Sequence, residues 1–222
     1  MEINSENGLL RGLRMKHKAT ILLVKCLLLG IWIGIANAQS DPDTLVKETV
    51  EDILETVQND PGVQAGDINR IKEIMEEKVA PHIDFPRMTR LAVGRSWRDA
   101  SKEQKKALVR EFHEMLMRSY AAAFKMYKGI VIETRALPRV KPDEKQVSVN
   151  TVVRLPGGAP PLSVDYDLLR TKNDTWKVYD VRVDGASLVI NYRNVFMQEI
   201  QKGGIEGLLK ALAEKNSNNS EK

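Results

Sequence analysis

The spacing of apolar residues changes once along this chain, near residue 130, and that change limits the folds that the chain can adopt. Upstream, apolar side chains recur every three or four residues, the period of amphipathic helices. Downstream, they alternate with polar ones in 146–154, 163–170 and 176–183, which predicts strands joined by short turns in an antiparallel meander. Helices, then strands, then further helices after residue 187 predict an α+β fold.

Residues that commonly cap helices mark where the predicted helices begin. The predicted starts are Asp43 or Thr44, Asp67, Pro86 and Ser101 before the strands, and Ser187 after them. Ser101 and Gln104 form a capping box at the start of the longest helix, which we expect to end at Gly129. The pair Gly203-Gly204 is expected to interrupt the helix that Ser187 begins.

The first 38 residues have the three parts of an export signal. Five basic residues precede an apolar run of 11 residues at 26–36, and small residues at 36 and 38 supply a cleavage site. Residues from Met15 onward already contain all three parts. The sequence therefore predicts a signal peptide at 1–38 that is cleaved after Ala38, and a mature chain in an exported compartment.

Removal of this segment changes the charge of the protein. The whole chain has 34 Lys+Arg against 30 Asp+Glu, a formal net charge of +4, whereas residues 39–222 keep 29 basic and 28 acidic residues, a net charge of +1. A nearly neutral mature chain argues against nucleic-acid binding, which depends on a basic surface. Cys26 is the only cysteine, so the mature chain has neither disulfides nor cysteine-ligated metals.

The motifs of common enzyme classes are absent. The sequence has no nucleophile elbow, phosphate-binding loop or dinucleotide fingerprint. His82 and Asp84 could act as a base and its orienting carboxylate, but both also suit a helix start, where they satisfy backbone groups. Asp165 and Asp167 alternate along a strand, as expected of a solvated sheet face. We therefore predict neither a catalytic nor a metal site.

Apolar and aromatic residues are concentrated on the long helix, on the strands and on the last helices. Their periodicity fits two different interiors. One is a solid core. The other is a curled sheet closed by helices around a ligand cavity on the order of a few hundred cubic ångströms.

Two composite motifs lie in the two halves of the predicted mature chain. The first consists of HIDF at 82–85, LAVG at 91–94 and the pair Trp97-Arg98. The second consists of WKVYDV at 176–181, DGASLV at 184–189 and NYR at 191–193. Together they make residues 41–214 similar to the MlaC family, the periplasmic phospholipid-binding components of the Mla lipid transport system, also called toluene-tolerance auxiliary proteins.

The resemblance implies a helical half packed on a twisted antiparallel sheet, related to NTF2-like folds, with C-terminal helices that help to enclose an apolar lipid cavity. The lipid-binding domain would span 39–214, followed by a disordered tail at 215–222. The resemblance also implies that the protein is a periplasmic monomer without a cofactor or enzymatic activity. This monomer would carry phospholipid between an outer-membrane lipoprotein complex and an inner-membrane ABC transporter, and so maintain the lipid asymmetry of the outer membrane.

Two other functions remain open at this point. The first is a carrier of another apolar molecule, such as a hopanoid-like one. The second is a small NTF2-like enzyme that uses His82, Asp84 or Asp180 as acid or base. A catalytic cavity needs an ionisable group facing the ligand, whereas a carrier's cavity is aliphatic and aromatic, so the lining distinguishes them.

The cost of moving a lipid through water sets what a carrier must bury. A diacyl lipid has about 30 methylenes at about 0.8 kcal/mol each, about 24 kcal/mol in all, so the tails need an apolar cavity. The residues predicted to contact them are large and apolar: Leu91, Trp97, Phe112, Leu116, Tyr120, Val147, Val149, Val181, Leu188, Val189, Tyr192 and Phe196. Arg95, Arg98 and Arg193 are expected either to form surface ion pairs or to contact phosphate at the cavity mouth.

Overall fold

The computed structural model describes residues 41–121, 131–135, 140–141 and 143–218. The predicted signal peptide at 1–38 and the predicted helix end at Gly129 lie outside these ranges. Within them, no helix is both long enough and apolar enough to cross a membrane.

The helices follow the capping residues that the sequence contains. They are α1 (Pro42–Asn59), α2 (Pro61–Gln64), α3 (Ile68–Lys78), α4 (Phe85–Val93), α5 (Lys102–Ala121) and α6 (Leu188–Asn218), with short 3-10 turns at Ala80–His82, Gly94–Trp97 and Pro156–Gly158. Asp67 accepts from the backbone N–H groups of residues 69 and 70, which confirms the predicted cap of α3. The predicted start at Asp43 or Thr44 is wrong, because Pro42, whose fixed φ suits a first helical turn, already begins α1.

The capping box at the start of α5 is present as predicted. The Gln104 N–H donates to Ser101 Oγ at 3.1 Å, and the Ser101 N–H donates to Gln104 Oε1 at 2.7 Å. The reciprocal bonds satisfy two backbone donors that a helix start otherwise leaves without partners.

The second half forms one antiparallel sheet with its strands in chain order. The strands are β1 (Val131–Thr134), β2 (Gln146–Arg154), β3 (Leu162–Arg170), β4 (Trp176–Val183) and β5 (Ala186–Ser187). This order confirms the predicted meander, and the sheet together with the helices confirms the α+β fold.

The two faces of the sheet differ in chemistry because paired residues share a face. Val149 pairs with Tyr166, and Tyr166 pairs with Val181, which places these three on the inner face. On the outer face, an Nη of Arg182 lies 3.1 Å from Asp167 and 3.7 Å from Asp165. Each acidic side chain is less than a fifth exposed, so the expected open, solvated face is wrong here. Burial also raises the pKa of Asp167 above its ordinary value.

Asp180 and Ser187 fix the start of α6. Ser187 Oγ donates to Asp180 Oδ2 at 2.6 Å and accepts from the Ile190 N–H at 3.0 Å, which confirms Ser187 as the cap. Asp180 Oδ1 also accepts from the Val189 N–H at 3.1 Å. These bonds use both carboxylate oxygens of Asp180 for structure.

The last helix is interrupted as predicted but continues further than predicted. Gly203 and Gly204 leave the helical conformation, and Gly204 has a φ of 64°, which favours glycine. Residues 215–218 are nevertheless helical, and Asn216 Nδ2 donates to the carbonyl oxygen of Glu111 at 3.0 Å. The first four residues of the predicted tail at 215–222 therefore belong to α6, and this contact holds the end of α6 against α5.

The buried apolar residues form two clusters rather than one. The helical cluster comprises residues of all six helices, among them Phe112, which is fully buried. The sheet cluster joins Val46 of α1 to Val149, Leu168, Trp176 and Val178. Ile83 packs against both clusters and forms a parallel bridge with Val178. The interior is therefore divided between a helical layer and the sheet.

Candidate functional site

Two adjoining apolar cavities occupy the space between the clusters. The sheet-side cavity, about 220 Å³, lies between α1 and the inner face of the sheet. The helix-side cavity, about 380 Å³, is bounded by α3, α4, α5, β4 and the start of α6. Val79, Ile83 and Val181 line both. We call the pair the divided cavity.

The local sequence explains why these walls face inward. On α1, Leu45, Thr49 and Ile53 line the sheet-side cavity, and their spacing of four residues places them on one side of the helix. Pro81 cannot continue α3, and the 3-10 turn that contains it redirects the chain so that His82 and Ile83 border the same cavity.

The described lining of the divided cavity carries no Asp, Glu, Lys or Arg. Its polar members are Thr49, His82 and Tyr166 on the sheet side and Tyr120 and Asn191 on the helix side. A lining of this kind can bury hydrocarbon and offers few groups for acid–base chemistry.

The two carboxylates considered as catalytic groups are both engaged at the starts of helices. Asp84 Oδ1 accepts from the Arg87 N–H at 2.9 Å at the start of α4. Asp180 accepts from the cap residue Ser187 and from the Val189 N–H at the start of α6. Neither lines the divided cavity, so His82 is the acid–base candidate that remains in its described lining.

His82 is half-buried in the wall of the sheet-side cavity. Burial lowers its pKa below the ordinary histidine value, and the positive charge of Lys177 lowers the pKa further. The imidazole is therefore neutral at pH 7 and adds no charge to the cavity.

We expect the folded protein to lose stability as the pH falls through the ordinary histidine range. The unfolded chain takes up a proton at His82 that the folded chain resists, so the free energy of unfolding falls with decreasing pH. In His82→Gln this part of the loss should disappear. The measurement is urea unfolding at about pH 7.5 and about pH 5.5, with His113→Gln as the matched control. Identical pH dependence in the native protein and His82→Gln would contradict the expectation.

Tyr120 and Tyr192 form a hydrogen-bonded pair beside the helix-side cavity. Burial raises the pKa of both phenols, so both remain neutral. The Tyr192 ring packs edge-on against Phe112 with centroids 5.0 Å apart. The pair links the cavity wall to the helical cluster.

The structure brings some of the predicted tail-contacting residues together in one wall. Those that line the helix-side cavity are Leu116, Tyr120, Val181 and Leu188. The helix α5 is distant in sequence from β4 and α6, so the fold is what brings Leu116 and Tyr120 to the other two residues.

The other predicted residues lie elsewhere. Those packed inside the two clusters, none more than 3% exposed, are Phe112, Val149, Val189 and Phe196. Val147 packs against the sheet cluster. Tyr192 is hydrogen-bonded to Tyr120 but does not itself line the helix-side cavity. Leu91 and Trp97 line a separate cleft together with Arg95, Arg98 and Arg193. Those arginines therefore do not line the divided cavity.

Several lining residues were not predicted from the sequence. On α1 these include Leu45 and Ile53, whose helical spacing indicates only that they face the interior. Val79 continues the helical spacing of Met75, which likewise indicates only an inward direction. Ile83 follows Pro81 in a segment without a clear period. The signal that could have drawn attention to Ile83 is an apolar residue between His82 and Asp84, inside the first composite motif.

Comparisons with known proteins point to one family. Residues 47–214 match the family model described as MlaC protein. The chain is 20% identical over 175 residues to the intermembrane phospholipid transport system binding protein MlaC of Haemophilus influenzae, with 78% of this chain and 81% of that protein covered. The fold is similar to the solved structure of the phospholipid-binding protein from Ralstonia solanacearum in complex with a phospholipid, with a TM-score of 0.74. The two chains are 32% identical, and the match covers 82% of this chain and 99% of that one. On the match of residues 47–214 to its model, this chain belongs to the MlaC family.

Proposed function

We propose that this protein is a periplasmic carrier that binds phospholipid by its acyl tails in the divided cavity. The observation that carries the proposal is a described cavity lining with apolar walls and no formally charged residue. Two relatives named for phospholipid transport or binding support the choice of cargo. Burial of tail methylenes provides the affinity, at about 0.8 kcal/mol for each one.

The carrier acts without catalysis and without a cofactor. Asp84 caps α4, and Asp180 accepts hydrogen bonds at the start of α6. His82 is a neutral histidine, and the described cavity lining has no carboxylate to orient it. Among the residues that the structure describes, no group of three or more His, Cys, Asp or Glu could hold a metal ion. The bound phospholipid is the cargo.

The carrier works as a monomer that exchanges lipid with an outer-membrane lipoprotein complex and an inner-membrane ABC transporter, and so maintains the lipid asymmetry of the outer membrane. The relative's description as a binding protein of an intermembrane transport system supports this role, and the export signal supports the periplasm. Because exposed tails cost so much free energy in water, loading and release must occur while the carrier is docked.

The cargo can be identified directly. We expect protein purified from the periplasm without detergent to contain nearly stoichiometric phospholipid, because binding removes both the acyl tails and the apolar cavity walls from water. The measurement is solvent extraction followed by mass spectrometry and phosphate assay. An exposed bulk protein from the same fraction serves as the control for carry-over. A stoichiometric hopanoid-like molecule would favour the alternative cargo, and a protein without lipid would contradict both carriers.

A further inference from the structure

A second concave site lies on the helical layer. Parts of α4, the 3-10 turn Gly94–Trp97 and the middle of α6 enclose about 920 Å³. No residue lines both this site and the divided cavity. Four arginines line it, namely Arg90, Arg95, Arg98 and Arg193, and we call it the arginine cleft.

The charge of the arginine cleft is not balanced by its own lining. None of the lining residues is Asp or Glu. Across the ranges that the structure describes, the ion pairs involve other basic residues and none of these four arginines. Glu199, on α6 near the cleft, pairs with Lys202 at 2.8 Å. A chain whose predicted mature part has a net charge of only +1 thus concentrates four positive charges in one site.

The fold holds one of these guanidinium groups in place and exposes the others. Arg193 is half-buried, and its Nε donates to the carbonyl oxygen of Leu91 at 2.8 Å, which ties α6 to α4. Arg90, Arg95 and Arg98 are exposed. Gly94, with a φ of 68°, turns the chain directly before Arg95 and presents the 3-10 turn at the edge of the cleft.

Apolar side chains lie among the arginines. Trp97 is half-buried in the cleft, and Met197 is 51% exposed there. Lys105 Nζ lies 5.8 Å from the centroid of the Trp97 ring and adds a further positive charge nearby. Tryptophan, methionine and arginine are the residue types enriched in the centres of protein–protein interfaces. The composition of the cleft is therefore that of a binding surface with an apolar floor and a cationic rim.

An anionic partner for the cleft could be a membrane or an acidic polypeptide, and the concave shape of the site favours the polypeptide. A membrane presents its phosphates in a flat array, which reaches the edge of a concave site but not its floor. A polypeptide can insert side chains, and carboxylates pair with guanidinium groups through two parallel hydrogen bonds. We propose that the arginine cleft docks a protein partner through an acidic segment, with an apolar side chain of that segment on Trp97 and Met197. The proposal does not depend on the identity of the cargo.

The probe is a fluorescein-labelled synthetic peptide of Glu, Asp and Leu, compared with a peptide of equal length in which Lys replaces the acids. Binding to the protein as purified from the periplasm is measured by fluorescence anisotropy at low and physiological salt. We expect the acidic peptide to bind, more weakly at higher salt, and the basic peptide not to bind. The double variant Arg95→Glu, Arg98→Glu should weaken binding at least about tenfold, because it reverses charges that the peptide contacts.

The matched control changes the net charge by the same amount outside the cleft. Lys47 and Lys210 are exposed on α1 and α6, and the double variant Lys47→Glu, Lys210→Glu should bind the peptide like the native protein. Arg90→Glu provides a second cleft variant, and circular dichroism and lipid content show that each variant is folded and loaded. Peptide binding that is absent in the native protein, or equal in the two double variants, would overturn the proposal. Cleft-dependent binding to phosphatidylglycerol vesicles without peptide binding would also overturn it, in favour of a membrane contact.

Discussion

The variant Val181→Glu is expected to contain no phospholipid when it is purified from the periplasm. Val181 is half-buried on β4 and lines both parts of the divided cavity. A carboxylate at this position would face the acyl tails without a partner, and a buried charge without a partner costs about 3 kcal/mol or more. A cost of about 3 kcal/mol lowers lipid affinity by about a hundredfold.

The measurement is the phospholipid content per chain by solvent extraction and mass spectrometry, with far-UV circular dichroism to show that the variant is folded. Ile190→Glu is the matched control, because it introduces the same group on α6 at a residue that is 47% exposed and lines neither cavity. The control should keep its lipid. A folded Val181→Glu protein with normal lipid content would show that the tails bind elsewhere.

Phe112→Ala should lower the free energy of unfolding by about 3–5 kcal/mol and leave lipid binding largely intact. Phe112 is fully buried in the helical cluster, where its ring lies edge-on to Tyr192 and Phe196 with centroids 5.0 Å away in both cases. It lines neither part of the divided cavity. Removal of the ring therefore creates a void in the core rather than extra space for cargo.

The measurement is urea unfolding of protein with a matched lipid content. Tyr120→Ala is the control on the same helix, because Tyr120 is 40% exposed and borders the helix-side cavity. This control should lose less stability than Phe112→Ala. If Phe112→Ala instead lost its lipid at unchanged stability, Phe112 would contact the tails, as its sequence position first indicated.

The sequence was most informative where structure depends on neighbouring residues. The capping box of Ser101 and Gln104 and the cap at Ser187 act over three residues, so their positions predict helix starts directly. Alternation predicted 146–154 and 176–183 as strands, and β2 and β4 have those bounds. Asn216 shows the limit, since its bond to the Glu111 carbonyl joins residues 105 positions apart and keeps a polar segment helical.

The candidate site was less predictable from the sequence. Helical spacing indicates which side of a helix faces the interior, but not whether a side chain there lies in the packed core or lines a cavity. Phe112 and Leu116 lie one turn apart on α5, yet the first is in solid core and the second borders the helix-side cavity. Ile83, which lines both cavities, stands in a segment without periodicity. The convergence of Arg95 with Arg193 joins two elements almost a hundred residues apart, which no local pattern reveals.

Because the interior is divided into two clusters, the free energy of unfolding of this protein depends on whether lipid is bound. Between the helical cluster and the sheet cluster, Ile83 is the described side chain that packs against both, so bound tails supply contacts that the chain itself does not. The cargo then behaves as part of the core, and folding is linked to loading by mass action. At free lipid about a hundred times the dissociation constant, this linkage adds about 2.7 kcal/mol, which raises the melting temperature by about 5–11 °C for a chain of this size. Loaded and empty carriers are thus two thermodynamic species of one sequence, and a melting temperature describes the protein only when its lipid content is known.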